Sequence, residues 1–461
     1  MTSIDERIRR IETSIVGSDS GWSGRTFTLA ERMRQLRVPG VSAAVFEGGQ
    51  VAWAHGWGVR AVDGDRVGPE TMFSAASISK PVAATAAIRL VQQGVLGLDD
   101  DVNDHLTSWR VPAVGDWQPV VTLRQILSHT AGLTVGGFPG YLRSEAIPEP
   151  RQILDGEVPA NTPPVRVDIL PGTQFRYAGG GTTVMQVLLE DVTGVPFARL
   201  VRELVLEPLG MTRSTYEQPI PESWGDFATG HYHGGAIVPG GAYVMPELAA
   251  AGLWTTPTDL CRFGLGFLNA LAGEDRTFMT PDLAEQMLES QATLSEGQIT
   301  PGFFVSGQDA TFRFGHSGSN IGFKCRFVVY REPGCGMAVM TNGEAGATLV
   351  AELMSAIAQE YGWPTDTSGS GDPWDDAAPH SERYEGRYEV RSGVTIEVRR
   401  INDQLSMLLP RQAPLTLRAI DDDAFECGPL KTRVVFDGSN AEPTLTIHQS
   451  GEQLVAQRVH P

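Results

Sequence analysis

The segment Ser77-Ile78-Ser79-Lys80 puts a hydroxyl and an amine three residues apart, where an Ala-rich helical pattern begins. Pro81 has no N–H to give, so the helix can start only a turn or so before it, which sets Ser77 at its positive end. The i, i+3 spacing brings Lys80 beside Ser77 on one face. A serine becomes a nucleophile when a base takes its proton, and a lysine whose ammonium is desolvated or crowded by other cations can be that base. The same tetrapeptide also arises by chance as a capping Ser with a surface Lys. Lysine usage weighs against chance here. Of 36 basic residues only Lys80, Lys324 and Lys431 are lysine, so 36 − 3 = 33 are arginine. Codon bias explains the general preference for Arg and leaves each of the three exceptions to be accounted for.

Two further segments carry reactive groups. In Tyr177-Ala178-Gly179-Gly180-Gly181 a phenol stands before three glycines, which permit close backbone approach or unusual dihedrals. Tyr177 could pass protons, or it could be a packed aromatic beside a flexible loop. In Gly315-His316-Ser317-Gly318-Ser319-Asn320 the imidazole could donate a hydrogen bond or carry charge beside a reacting group. Neighbouring N–H groups there could bind a developing oxyanion. By itself this segment also reads as a Gly/Ser-rich turn.

Other reactive side chains read as structural. His129, His231 and His233 have no carboxylate or Cys placed near them for metal ligation. Cys261, Cys325, Cys335 and Cys427 are too sparse for a disulfide scaffold and form no close pair, so free thiols are expected. Trp254 and Cys261, flanking a helix start at Pro257, read as core. Asp421-Asp422-Asp423 reads as a solvated turn, with weak calcium binding the alternative.

These segments need elements to position them. Val38–Arg60 reads as a hairpin about Gly48-Gly49. Pro81–Val91 reads as a helix with Ala83, Ala87, Leu90 and Val91 at helical spacing. Thr122–Gln125 fits a capping box opening a short helix to His129, and Thr256-Pro257-Thr258-Asp259 opens another. Extended runs return at Phe323–Tyr330 and Gly336–Thr341, followed by a helix marked by Leu349, Val350, Leu353, Ile357 and Tyr361. The simplest packing joins early and late strands in one antiparallel sheet, flanked by helices and interrupted by a helical subdomain. The fold class expected is α/β (α+β), with a cleft between the two parts.

Pro364–His380 has linker composition. Beyond it, seven alternating runs (384–390, 394–400, 404–409, 415–420, 432–436, 444–448 and 454–459) suggest a small antiparallel sandwich or barrel. The expected domains are therefore 1–362, a linker 363–382, and 383–461.

Composition excludes several functions. The net charge of −19, from 36 basic and 55 acidic residues, is ill-suited to nucleic acid or anionic membrane surfaces. Met1–Val16 has mixed charge and no signal-peptide core, and no apolar run approaches a membrane span, so a cytoplasmic protein is expected.

Taken together, SISK, YAG and HSG resemble in order and spacing the three active-site motifs of the penicillin-recognising serine hydrolases, the class C β-lactamase, D-alanyl-D-alanine carboxypeptidase and esterase family. Thr122–Leu133, Pro208–Tyr216 and Met245–Leu260 resemble it too, and the C-terminal segment is similar to the lipocalin-like domain that often follows. The resemblance implies a β-lactamase-like fold, Ser77 as acylated nucleophile, Lys80 as its helper, Tyr177 as proton carrier, and His316 in the place of the third-motif Lys or His. It implies an oxyanion hole from the N–H groups of Ser77 and Ser319, with Gly318 and Gly179 lining the substrate site. It implies no cofactor and no metal. Two departures bear on activity: Gly179 stands where the family usually has Asn, and His-Ser-Gly replaces Lys-Thr-Gly. They point towards esterase or D-aminopeptidase chemistry on a small ester, amide or peptide, with weak or no β-lactamase activity. The alternatives are a thioesterase that passes the acyl group to an amine, and a non-catalytic binding or sensor protein. Oligomeric state is left open.

Overall fold

The computed structural model describes residues 3–364 apart from 20, 21, 63, 117, 170, 173, 174, 295 and 296. It also describes 384–459 apart from 392, 393, 402, 403, 409–414, 422, 423, 428–431, 438–443, 450 and 451. Lys431, Asp422, Asp423 and the expected linker beyond Pro364 lie outside the described residues. The chain divides into two compact units, Met1–Trp374 and Asp375–Pro461.

In the first unit the Gly48-Gly49 turn closes the expected hairpin. Both glycines have positive φ, 60° and 77°, the backbone a tight two-residue turn needs. Its strands, Gly40–Glu47 and Gln50–Gly58, form one side of an eight-stranded sheet. The spatial order runs Gln50–Gly58, Gly40–Glu47, Cys335–Thr341, Phe323–Tyr330, Arg313–Asn320, Phe304–Ser306, Gly297–Ile299, Ala292–Leu294, all antiparallel. The early and late strands do pair: Val45 lies opposite Met337 and Ala43 opposite Val339.

Both faces of this sheet are covered, so its central strands read as near-continuous apolar runs. Val41, Ala43, Val45, Met337 and Val339 face a layer built from Leu349, Leu353 and Ile357 of the helix Gly346–Tyr361, with Ile8, Ile11 and Met33 from the N-terminal helices. Arg32, fully buried, forks onto Glu352 through Nε and Nη2 at 2.7 and 2.8 Å and ties these helices together. The alternate residues Ala44, Phe46, Ala338 and Met340 face the larger core, with Phe263 and Phe267 of the helix Pro257–Ala272.

The helical part lies between the early and late strands. Its two longest members below residue 200 are Ser79–Gln92 and Gly179–Thr193, both buried along most of their length, which is why neither shows a narrow apolar stripe in sequence. The capping box at Thr122 opens Leu123–Leu127, and Thr256 accepts from the N–H of Asp259 at the start of Pro257–Ala272. The short strands between Ala292 and Ser306 were not legible in sequence: at three residues each they are too brief to show alternation.

The second unit is a closed antiparallel barrel of eight strands. Seven correspond to the expected runs, with small shifts such as Gly386–Arg391 in place of 384–390. The eighth, Ala424–Cys427, is only four residues long and holds the turn-side neighbours that closure requires. Inward pairs at period two, Ile396/Val398, Leu405/Met407, Val434/Phe436 and Leu445/Ile447, fill the interior. Tyr384, just before the first strand, stacks on Phe436 at 4.3 Å.

Candidate active site

Ser77 sits in a single 3-10 turn, Ala76–Ile78, directly before the helix Ser79–Gln92. Pro81 occupies that helix's first turn, where its missing N–H leaves no bond unmade. The turn is held in an uncommon backbone: Ala76 has φ +48° without being glycine. Neighbours hold it there. Ala75 N–H donates to Leu253 O, Leu253 N–H donates to Ser79 Oγ at 2.9 Å, and Tyr216 OH donates to Ser79 O at 2.6 Å. Ser77 itself is only half-buried. It is not a helix cap, contrary to the structural alternative for SISK: Ile78 holds that position without a side-chain bond.

Lys80 Nζ donates to Ser77 Oγ at 3.1 Å and to Ala250 O at 2.9 Å. The side chain is 7% exposed. Apolar walls from Ala84, Ile126, Leu127 and Met185 enclose a cavity of about 10 Å³ behind it, room for about one water. Burial penalises the ammonium and brings its pKa down to about 7. At neutral pH a large fraction of Lys80 is therefore free amine, with a lone pair beside the serine hydroxyl.

Tyr177 joins this pair from the other side, its ring 4.8 Å from Lys80 Nζ and 6.3 Å, centroid to centroid, from His316. The glycines after it are used for close approach and not for unusual dihedrals. A Cβ on Gly179 would lie 2.9 Å from the Phe138 ring and 3.0 Å from Gly136 O. The space that an Asn side chain would need is thus filled, and the Ala250 carbonyl supplies Lys80's second partner. Gly179→Asn is accordingly expected to overpack the site, at about 1–3 kcal/mol of stability, with no gain in β-lactam hydrolysis. Denaturant unfolding and a nitrocefin assay check the two halves of that statement.

His129, read from sequence as structural, lies in the site. Its Nδ1 accepts the Ala178 N–H at 3.2 Å and its ring packs on Tyr177 at 4.3 Å. Its φ of +55° turns the chain out of the preceding helix. Burial, then the charges of Lys80 and His316, hold its pKa well below the ordinary imidazole value, so it is neutral. Nothing in its local sequence marks it, because the contact depends on a residue 48 positions later (177 − 129).

His316, Gly318 and Ser319 lie on the strand Arg313–Asn320. Gly318 is where the strand touches the Ser77 turn: a Cβ there would meet Ala75 O at 2.2 Å and Ala76 Cβ at 3.1 Å. Asn320 completes the junction, donating from Nδ2 to Ser74 Oγ at 2.9 Å and Ala251 O at 3.2 Å. His316 differs from the sequence expectation of a charged or titrating group. It is 3% exposed, and burial, followed by repulsion from Lys80, pushes its pKa down to about 3. Its Nδ1 donates to Ser317 O at 2.6 Å, which leaves Nε2 as an acceptor. The site thus offers no imidazolium for a substrate carboxylate at neutral pH.

His231, one of the two other histidines considered as ligands, is structural: Nδ1 donates to Asn342 O at 2.9 Å and Nε2 accepts from Val62 N. Among the described residues no cluster of three or more metal-ligating side chains occurs. No helix among them is long and apolar enough to cross a membrane.

A Ser-Lys pair at a helix start, faced by a Tyr loop and a His-Ser-Gly edge of an antiparallel sheet, defines a β-lactamase-like serine hydrolase class. The Beta-lactamase family profile matches residues 28–361, and the chain belongs to that family. Penicillin-binding protein 4* of Bacillus subtilis (strain 168) is 24% identical over 456 residues, 94% of this chain and 97% of that protein. Esterase EstB of Burkholderia gladioli is 28% identical over 199 residues, 42% of this chain and 50% of the esterase. The octameric penicillin-binding protein homologue from Pyrococcus abyssi has the same fold, with TM-score 0.60, 23% identity and coverage of 93% of this chain and 98% of that one.

Proposed function

We propose that this protein hydrolyses small esters, or amides and peptides, through an acyl-enzyme on Ser77, with weak or no β-lactamase activity. The observation that carries the reading is the 3.1 Å contact between Ser77 Oγ and a Lys80 amine whose pKa burial has lowered to about 7. The relative named as an esterase supports the ester branch.

In acylation Ser77 Oγ bonds to the substrate carbonyl carbon while its proton passes to Lys80 Nζ. The N–H groups of Ser77 and Ser319 receive the negative charge on the carbonyl oxygen. The bond to the leaving group breaks as Tyr177 relays a proton from Lys80 to it. Water then adds to the acyl carbon, giving its proton to the same Tyr177–Lys80 pair, and the C–Oγ bond breaks to regenerate the Ser77 hydroxyl. His316 stays neutral and accepts through Nε2, and at Gly179 the Phe138 ring and the Gly136 carbonyl fill the space where the family's amide side chain would stand. Both features remove partners for a β-lactam, the carboxylate cation and the amide contact.

A fluorophosphonate probe with intact-mass and peptide analysis tests the core of this reading: one adduct on Ser77, blocked by prior reaction with a p-nitrophenyl ester, is expected. An unlabelled Ser77 with no ester cleavage would favour the binding-protein alternative. Product analysis with a thioester peptide separates hydrolysis, which gives free acid, from transfer to an amine, which gives a cyclic product.

A further inference from the structure

Lys324, the second of the three lysines, is not explained by the Ser77–Lys80 chemistry. It lies on the strand Phe323–Tyr330 directly opposite Ser319 in the antiparallel register. Its Nζ meets Glu344 Oε1 at 2.6 Å, and both side chains are 6% exposed. The same Nζ donates to Ser319 Oγ at 2.9 Å and lies 3.4 Å from Asn320 O. The other oxygen of Glu344 accepts the N–H of Gly322. The pair therefore grips the hairpin end from both sides: Lys324 holds Ser319 and Asn320, and Glu344 holds Gly322, whose φ of +80° makes the turn.

Glu344 is itself fixed. Its N–H donates to His231 O at 3.0 Å, and His231 Nδ1 returns to Asn342 O. Thr341 Oγ1 donates to the Lys324 carbonyl at 2.9 Å, and a Cβ on Gly346 would strike that Oγ1 at 1.9 Å, so the start of the last helix is pressed onto the pair. Asn320, at the gripped end, bonds to Ser74 and Ala251 on the nucleophile side. A buried ion pair is a poor device for stability, because desolvation of the two charges can exceed their attraction and apolar residues of similar size serve as well or better. Its retention at the end of the His-Ser-Gly strand calls for another reason.

We infer that Lys324 and Glu344 are positioning residues that set the height of Ser319 against Ser77, and so align the two oxyanion N–H groups. This rests on the proposed role of Ser319 in the acyl transfer. A donor displaced by about 1 Å can cost ~10²-fold in rate while substrate binding is little changed. The pair therefore acts on kcat more than on KM.

The test uses the full chain, p-nitrophenyl butyrate and a fluorophosphonate. The double variant Lys324→Met/Glu344→Gln removes both charges, so no lone ion is left buried. We expect it to fold, with kcat and the Ser77 labelling rate reduced about 10–100-fold and KM within a factor of about 3. Lys324→Arg, which keeps the pair, should recover most of the rate, as a merely space-filling role would not require. Should the double variant not fold, Ser319→Ala decides: it leaves the ion pair and the backbone N–H in place but removes the Lys324 acceptor, and a several-fold fall in kcat is expected. Unchanged kcat in the folded double variant, or in Ser319→Ala when that variant carries the decision, overturns the inference while leaving the Ser77 reading intact. A wild-type chain that neither cleaves the ester nor takes the probe brings down both.

Discussion

Ser77→Ala is expected to lower ester hydrolysis by about 10⁴–10⁶-fold, the scale seen when a nucleophile that works as part of a unit is removed. It should also abolish fluorophosphonate labelling. Stability should be unchanged or slightly raised, because the hydroxyl's hydrogen bond is the one from Lys80 and the helix start does not use it as a cap. A loss of the roughly 0.5–2 kcal/mol typical of a missing cap would contradict that geometry. Activity within tenfold of wild type would remove Ser77 from the mechanism, whatever the fold.

Lys80→Arg is expected to cost about 10²–10⁴-fold in kcat/KM, the usual worth of a positioned general base, because a guanidinium stays protonated and cannot take the serine proton. In the wild-type protein the same group sets the pH profile. The pKa is lowered from 10.5 to about 7, so the free amine accumulates as pH rises through 7. Acylation should increase about tenfold per pH unit below that point and level off above it, measured as kcat/KM or as the labelling rate. The linked stability has a definite sign. Between about pH 7 and 10.5 the unfolded chain binds a proton at Lys80 that the folded chain does not, so this group's contribution rises with pH across that window. Below pH 7 its unfavourable burial is present in full. Lys80→Met should therefore be as inactive as Lys80→Arg yet at least as stable as wild type, while Lys80→Arg, with a permanent buried charge, should be less stable. A flat profile between pH 5 and 8 would demote Lys80 to an electrostatic helper.

Much of this site was legible because its parts are local. Ser77 and Lys80 share one helical turn, and Pro81 dates the start of that helix. The hairpin at Gly48-Gly49, the capping box at Thr122 and the period-two barrel strands are likewise short-range patterns, set by backbone sterics and side-chain alternation. Among the elements missed, the strands within Ala292–Ser306 and Ala424–Cys427 are too short to show a period and exist through the neighbours they pair with, while the helix Gly179–Thr193 is buried nearly all round and opens on three glycines that read as a loop. The place of His129 beside the site was not legible either. Its role comes from the ring of Tyr177 and the N–H of Ala178, and neither is adjacent in the chain.

By itself the sequence determined the family-like order of SISK, YAG and HSG, the antiparallel sheet interrupted by helices, the appended β unit, and the rarity of lysine that singled out Lys80. Tertiary structure alone decided the protonation states. Dielectric and charge at a point are sums over everything packed around it, so burial lowered the Lys80 pKa to about 7 and left His316 and His129 neutral. It also decided why Gly179 and Gly318 are glycine, since Phe138 and Ala75 stand where side chains would be. And it gave the second lysine its place: Lys324, paired with Glu344, lies across the ladder from Ser319, a relation that exists only once the strands are in register.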